Sequence, residues 1–443
     1  MKKSLLWCVI MLLSISMIVV FSLASCKKEI APAKEEVVKE EKVTEVEQTK
    51  EVKKFEGQKL IVKVSPDLAM AGLKAKTEEF KKLYGVEVDY SEVPWTTWHT
   101  QGSQILATDE QVDVMGGGKD WWLDFPNKLV ILNDYFSDLI PGMVDELVKY
   151  GTIGDNIYAL PFLASNVIMF YNKEIFEKAG IEKIPETWDE FKDVIRKCND
   201  YNGNYNYVTD WTKDGIYFAY AILLKSAGGE LYEVKDKNIK FLMDSPESIE
   251  TVKFMKGLID EDLIPKDALT EIQQEVAALY SSGEIAMMQN WDMYAGFMEP
   301  ALAEKTGFFA MPGKSQGLAA TLDGHEFLMI PASSQNVELA AEYIRFIASY
   351  ENTKQRCIEG VAQPIYKKQY EDQEVIAALL YLDVIEKVKS QSAEQFPPIK
   401  NSNELRQKAS ILHKALLGET SIEEALAEYQ AFADTVEYIQ PIE

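Results

Sequence analysis

Residues 157–180 read IYALPFLASNVIMFYNKEIFEKAG. Two apolar runs, IYALPF and VIMFY, have the length and the aromatic and β-branched content of buried strands. Between them Ser165 and Asn166 interrupt the apolar run, and after VIMFY the spacing becomes that of an amphipathic helix over 173–179. Two buried strands in succession, separated by small and polar residues and followed by a helix, are predicted here.

The flanking sequence alternates in the same way. LIVKV (60–64) precedes helical spacing from Leu68 to Tyr84, with Leu73, Phe80 and Leu83 on one face. VEVDYS (86–91), a helix around 98–107 and VDVM (112–115) follow, and this βαβαβ order predicts a parallel sheet covered by helices. Thr187-Trp188-Asp189-Glu190 has capping-box spacing, and Ser245-Pro246 sets a cap before a proline at the first helical position. IAMM (285–288), FFAM (308–311) and EFLMI (326–330) predict further buried strands, and the chain beyond Gln335 reads as mostly helical.

The N-terminus is built differently. Lys2 and Lys3 precede an apolar run from Leu5 to Leu23, which has the layout of a secretory signal over residues 1–25. Its ending, Leu23-Ala24-Ser25-Cys26, resembles the lipobox of bacterial lipoproteins and makes Cys26 the lipidation site, against the alternative of a transmembrane anchor. Residues 26–56 are dominated by Lys, Glu and Val, too little apolar area to offset chain entropy, and read as a charged flexible tether.

Charge and cysteine usage narrow the function classes. The chain holds 46 Lys and Arg against 71 Asp and Glu, a net charge of −25. Nucleic acid is therefore not an expected partner, since phosphate-backbone binding needs cationic neutralisation. Of four cysteines, Cys8 leaves with the signal and Cys26 takes the lipid. Cys198 and Cys357 remain, too few for a disulfide framework, and are expected to be buried thiols. The length beyond Phe55 exceeds one core, so two lobes are expected.

Catalytic signatures are sparse. His99, His325 and His413 are scattered without a zinc motif. Gly116-Gly117-Gly118-Lys119 lacks the upstream glycine and following hydroxyl of a phosphate loop, and Gly313-Lys314-Ser315 has its upstream glycine misplaced. No nucleophile elbow occurs. No metal or cofactor is expected. Paired carboxylates on separate strands leave a surface-anchored glycoside hydrolase as the alternative.

The tryptophans are better placed. Trp95, Trp98, Trp121, Trp122, Trp211 and Trp291 follow strand ends or open helices, the edge of an open parallel sheet where ligands bind. Aromatic rings there stack on the C–H faces of a sugar while carboxylates and amides meet its hydroxyls. Trp188, inside a cap, is expected to pack instead.

Three ordered motifs carry a family resemblance: IYALPF…FYNKEIFEKAGI…PETWDEF (157–191), SGEIAMMQNW (282–291) and DGHEFLMIPASSQNVELAAEYIRFIAS (323–349). The chain from about Phe55 resembles the extracellular solute-binding proteins of family 1, sugar-binding components of ABC importers related to maltose-binding protein. The resemblance implies an α/β, two-lobe periplasmic-binding-protein-like fold of type II, hinged, with a ligand cleft between lobes. It places lobe 1 at 57–162 plus 325–365, lobe 2 at 163–324, and C-terminal helices (366–443) packed across both. The ligand positions it implies are Ser65, Asp67, Asp120, Trp121, Trp122, Ser165 and Asn166. Further along they are Trp211, Tyr217, Asn290, Trp291, Asp292, His325 and Glu326.

Together these imply a monomeric, lipid-anchored binding protein on the extracytoplasmic side of the cell envelope. It would capture a carbohydrate, an oligosaccharide in the main reading, and deliver it to membrane permease subunits without breaking a bond. A polyamine, polyol or peptide ligand on the same fold is the nearest alternative within the class.

Overall fold

The structure is a computed structural model that describes residues 54–118, 125–235, 238–393, 399–400 and 402–437. The signal segment, the tether with Cys26, and Asp120, Trp121 and Trp122 lie outside the described residues. Among the described residues no helix is long and apolar enough to cross a membrane.

Strands and helices alternate from the start: β1 (Lys59–Val64), α1 (Lys74–Tyr84), β2 (Glu87–Glu92), α2 (Trp95–Thr108) and β3 (Val114–Gly118). The stretch around Ser165 supplies β4 (Leu160–Leu163) and β5 (Asn166–Asn172). Then come α3 (Trp188–Asn202), β6 (Tyr207–Val208), α4 (Ile216–Ser226) and α5 (Pro246–Asp260), followed by β7 (Met287–Trp291), β8 (Thr306–Phe309) and β9 (Thr321–Asp323). The last part holds β10 (Glu326–Met329), α6 (Val337–Ile347), α7 (Tyr350–Ile358), β11 (Ser392–Ala393), α8 (Ser402–Lys408) and α9 (Ile422–Ala433).

These strands build two main sheets. The first has the order β2-β1-β3-β10-β4 and the second β11-β9-β5-β7-β6, with β8 also on β5. In the first sheet β2, β1 and β3 are parallel, as the βαβαβ order predicts, whereas β10 runs antiparallel to both neighbours. The direction reverses because β10 is entered from the second sheet, not through a helical crossover on the same sheet. The chain passes from the first sheet to the second between Leu163 and Asn166 and returns between Asp323 and Glu326.

Two of the three glycines in β3 are a packing device. A Cβ on Gly116 would come within 2.4 Å of the Leu68 side chain, and one on Gly117 within 2.4 Å of the Trp98 indole nitrogen. Removing both side chains lets Leu68 and the buried Trp98 of α2 lie directly on the strand. The second core gathers α3, α4, α5 and the C-terminal helices around β5, with Phe191, Tyr220, Met255 and Tyr429 fully buried. Segment 366–393 touches both sides: Gln369 donates to Thr353 Oγ1 at 2.7 Å, and Tyr381 packs edge-on against Phe308 of β8.

The helix expected from Leu68 to Tyr84 is interrupted. Gly72 adopts φ +91°, and regular helix resumes only at Lys74. The positive φ favours glycine, and a Cβ on Gly72 would also come 3.3 Å from Cδ of buried Arg356. The helix face also differs at its end. Leu83 is exposed, and Tyr84 turns inward to stack on Phe80 at 4.2 Å.

Other local expectations hold. Trp188 stacks on Phe254 at 4.2 Å and donates to Ser226 Oγ at 3.0 Å. Thr187 caps α3 by accepting from Glu190 N at 3.3 Å, while the Glu190 carboxylate reaches Glu186 N, one residue earlier than a reciprocal box would use. Cys198 and Cys357 are buried and free.

Arg356 is 2% exposed, lies 3.7 Å over the Phe162 ring and donates to Phe162 O at 2.8 Å. Burial brings its guanidinium down to about 10. Arg356→Ala, which empties this site, is expected to cost about 3 kcal/mol in urea unfolding, the scale of a core cavity. Arg356→Met keeps the apolar stem and removes a desolvated charge, and should stay within about 1 kcal/mol of the parent.

Candidate ligand-binding site

The site begins where β1 stops. Val64 is followed by Ser65-Pro66-Asp67, and Ser65 Oγ caps the next turn by accepting from Leu68 N at 3.3 Å. The same hydroxyl donates to Glu326 Oε2, at the first residue of β10. Asp67 lies beside this pair, 8% exposed. Burial pushes its carboxyl up to about 6, against the opposing pull of the Trp95 indole hydrogen bond. Burial and the neighbouring Asp67 hold the Glu326 carboxyl well above the ordinary range. Two desolvated carboxyls this close resist joint ionisation, so the pair retains a proton that a lone surface carboxylate would lose.

The opposite wall belongs to the second sheet. Trp291 ends β7; its indole N–H donates to Gln273 Oε1 at 2.9 Å, and its ring meets Phe218 edge-on at 5.6 Å. Gly324, between β9 and β10, lies so close that a Cβ there would come within 2.2 Å of the Trp291 ring. Asp210 follows β6 and accepts from Thr212 N at 2.9 Å and Thr212 Oγ1 at 2.6 Å. Burial raises its carboxyl as well. With Trp95, His325 and Arg406 these walls enclose a cavity of about 420 Å³. Its lining has the makeup of a small-molecule site, aromatic faces with a few convergent polar groups.

Of the residues expected from the sequence, Asp67, Ser165, Trp291, His325 and Glu326 line this cavity. Ser65 sits behind Glu326, wholly buried. Trp211 and Tyr217 are 0% exposed in the second core, not at the cavity: His413 Nε2 lies 2.6 Å from the Trp211 carbonyl oxygen, and Arg406 stands over the Tyr217 ring. Asn290 turns away to donate to Gln273 O at 2.9 Å.

Asn166 and Asp292 have a different placement. Asp292 is fully buried where the two sheets meet. Its carboxylate accepts from Ser165 Oγ at 2.6 Å, from Asn166 N at 3.1 Å and from Gln363 Nε2. Gln363 Nε2 also reaches Asn166 Oδ1 at 2.8 Å, and Gly324 N donates to Ser165 O at 2.9 Å. The Asp292 carboxyl thus joins the first crossing to the segment after α7, and the second crossing is tied to the first through the Ser165 carbonyl.

Several lining residues escaped the sequence expectations: Asp210, Thr212, Gln273 and Arg406. Trp95 carried a signal, a tryptophan opening a helix after a strand. Asp210 was signalled only by its neighbour Trp211, whose ring faces the core. Arg406 arrives from α8 and had no motif around it.

Comparison with known proteins places this geometry. Residues 65–354 match the family model described as bacterial extracellular solute-binding protein. A putative binding protein of Brucella abortus (strain 2308) is 25% identical over 300 residues, covering 63% of this chain and 71% of the relative. A diacetylchitobiose-binding protein of Streptomyces coelicolor is 25% identical over 296 residues, covering 64% and 67%. Among solved structures, maltose-bound MalE3 of T. maritima superposes with a TM-score of 0.78 at 24% identity, covering 85% of this chain and 99% of that one.

Burial pushes the Asp292 carboxyl up to about 7. The folded state therefore holds this proton more tightly than the unfolded chain, so its contribution is complete below about pH 4 and is lost as pH rises through about 7. Asp67 and Glu326 act in the same sense. Asp292→Asn keeps an acceptor for Asn166 N and Gln363 and can donate to Ser165. Its expected result is a smaller fall in melting temperature between pH 5 and pH 8 than the parent shows, by calorimetry.

Proposed function

This chain belongs to the bacterial extracellular solute-binding proteins and has the type II periplasmic-binding-protein fold, and from that premise we propose that its cavity captures a carbohydrate for an ABC importer. The observation that carries this reading is the pairing of walls: Trp95, Asp67 and Glu326 on the first sheet's side face Trp291, Phe218 and Asp210 on the second sheet's side. Rings of this kind cover the apolar faces of a pyranose, and carboxylates and amides take its hydroxyls. The relatives named for sugars, diacetylchitobiose in one and maltose in another, support the same class.

Binding, in this reading, is a change of population. A ligand touching both walls favours the arrangement in which they are close, and contacts to one wall alone would not. Residues 57–162 with 325–365 move as one lobe and 163–324 as the other, turning about the crossings at 163–166 and 324–326. Asp67, Ser165, Trp291, His325 and Glu326 are the contacts, with Trp95, Asp210, Thr212, Gln273 and Arg406 added. Asp120, Trp121 and Trp122 remain assigned to the same cleft from the sequence. Cys26 carries the lipid that holds a monomeric protein to the extracytoplasmic face, and the released sugar passes to permease subunits chemically unchanged.

A thermal-shift screen over mono- and oligosaccharides, with sugar analysis afterwards, tests this reading. The expected outcome is a concentration-dependent rise in melting temperature with the sugar recovered intact. Cleaved product would support a hydrolase instead, and a rise with peptides or polyols alone would overturn the carbohydrate class. Trp291→Ala should weaken the sugar found by more than about 1 kcal/mol in calorimetric titration, the scale of a lost aromatic contact.

A further inference from the structure

The Trp291 ring is held by more than packing. At the end of β7 it meets Phe218 edge-on at 5.6 Å, and its six-membered ring lies against the Gly324 backbone, where a Cβ would come within 2.2 Å. Apolar contacts of this kind discriminate poorly between the two broad χ2 settings open to an indole. The N–H supplies the choice. It is a donor with no acceptor capacity, and it meets Gln273 Oε1 at 2.9 Å. The same pairing turns the Gln273 amide so that its oxygen, not its nitrogen, faces the ring.

Gln273 is itself fixed through its backbone. It opens the helix Gln273–Ser281 and lines the cavity. Its backbone N–H donates to the Asp210 carboxyl, and its backbone oxygen accepts from Asn290 Nδ2 at 2.9 Å. Asn290 Oδ1 in turn accepts from Trp291 N at 2.9 Å. The strand end and the helix start are therefore joined twice, once between backbones through the Asn290 amide and once between the side chains of Trp291 and Gln273.

We propose, on the basis of the carbohydrate reading above, that Gln273 is a positioning residue whose Oε1 sets the plane of the Trp291 ring on which the sugar stacks. A ring already set in its plane loses no rotamer freedom when the ligand arrives, and it offers one face at one tilt to the C–H face of a pyranose. Without the acceptor the indole N–H must turn to water or to another partner, because leaving it unpaired is costly, and the ring leaves that plane. Asp210 and Asn290 act one step further back, since they hold Gln273 in place. Asn290 thereby has a reason to turn from the cavity although it precedes the stacking residue.

The test combines nuclear magnetic resonance of the mature chain, labelled with nitrogen-15 at its indoles, with calorimetric titration of the sugar that gives the largest thermal shift. Trp291→Phe removes one indole N–H signal and so assigns it. Gln273→Met removes the acceptor at similar length, and Gln273→Glu keeps one; the residue is only partly buried, so both variants are expected to fold. In Gln273→Met the assigned signal should move to higher field and exchange faster with water, and affinity should fall about tenfold, the upper range of an aromatic contact. Gln273→Glu should return both toward the parent. In the Trp291→Phe background, where the N–H is gone, Gln273→Met should change affinity by less than about twofold. An unchanged indole signal, parent-like affinity in Gln273→Met, or an equal loss with and without the N–H overturns the positioning role and leaves the carbohydrate reading standing. A parent chain that binds no sugar overturns both.

Discussion

A buried polar cluster around Asp292 ties together the chain segments that join the two sheets. A chain that builds two sheets and crosses between them leaves backbone and side-chain polar groups in a dry interior, where unpaired groups are costly. Asp292 accepts from Ser165 and Asn166 in the first crossing and from Gln363 after α7. The second crossing bonds directly to the first through Gly324 N and Ser165 O. The three passes can turn relative to one another only within the geometry these bonds allow. A small polar cluster is therefore in a position to fix the axis about which the two walls move.

The cavity follows from that joint. Since the crossings lie at its floor, the residues flanking them are brought to it from both sheets: Ser165 and Gly324 at the crossings, Glu326 opening β10, and Trp291 ending β7 one residue before Asp292. Strand ends pointing toward the joint supply Asp67 and Trp95 from one sheet and Asp210 from the other. Water is displaced by indole and phenyl faces while the carboxyls keep their polar partners on one side. Such a site favours ligands that are apolar on their faces and rich in donors at their edges.

Much of this architecture was legible in the sequence. IYALPF and VIMFY become β4 and β5, and the polar residues between them lie where the chain changes sheets. The strands expected at IAMM and FFAM form, but shifted, β7 running on through Gln289 and Asn290 to Trp291 and β8 starting at Thr306, while Trp188 packs as its place in a cap suggests. What was not legible depends on partners distant in sequence. Gly72 interrupts a helix at a positive φ, with the Arg356 side chain packed close beside it. Asp292 resembles a cleft aspartate until Gln363 is brought beside it. Asp210 and Trp211 are neighbours with opposite surroundings, and only the packing of the second core decides that the carboxyl, not the indole, faces the cavity. Arg406 enters from α8, whose position depends on packing of the C-terminal helices that no local pattern specifies.

The central claim is that one ligand engages both walls and draws them together. The most direct measurement is the distance between spin labels on Lys82→Cys in α1 and Lys253→Cys in α5, both positions exposed. The native Cys198 and Cys357 are buried. With the sugar that gives the largest thermal shift, the account predicts a shorter and narrower distance distribution than without it. Full occupancy of the site with an unchanged distribution would contradict it.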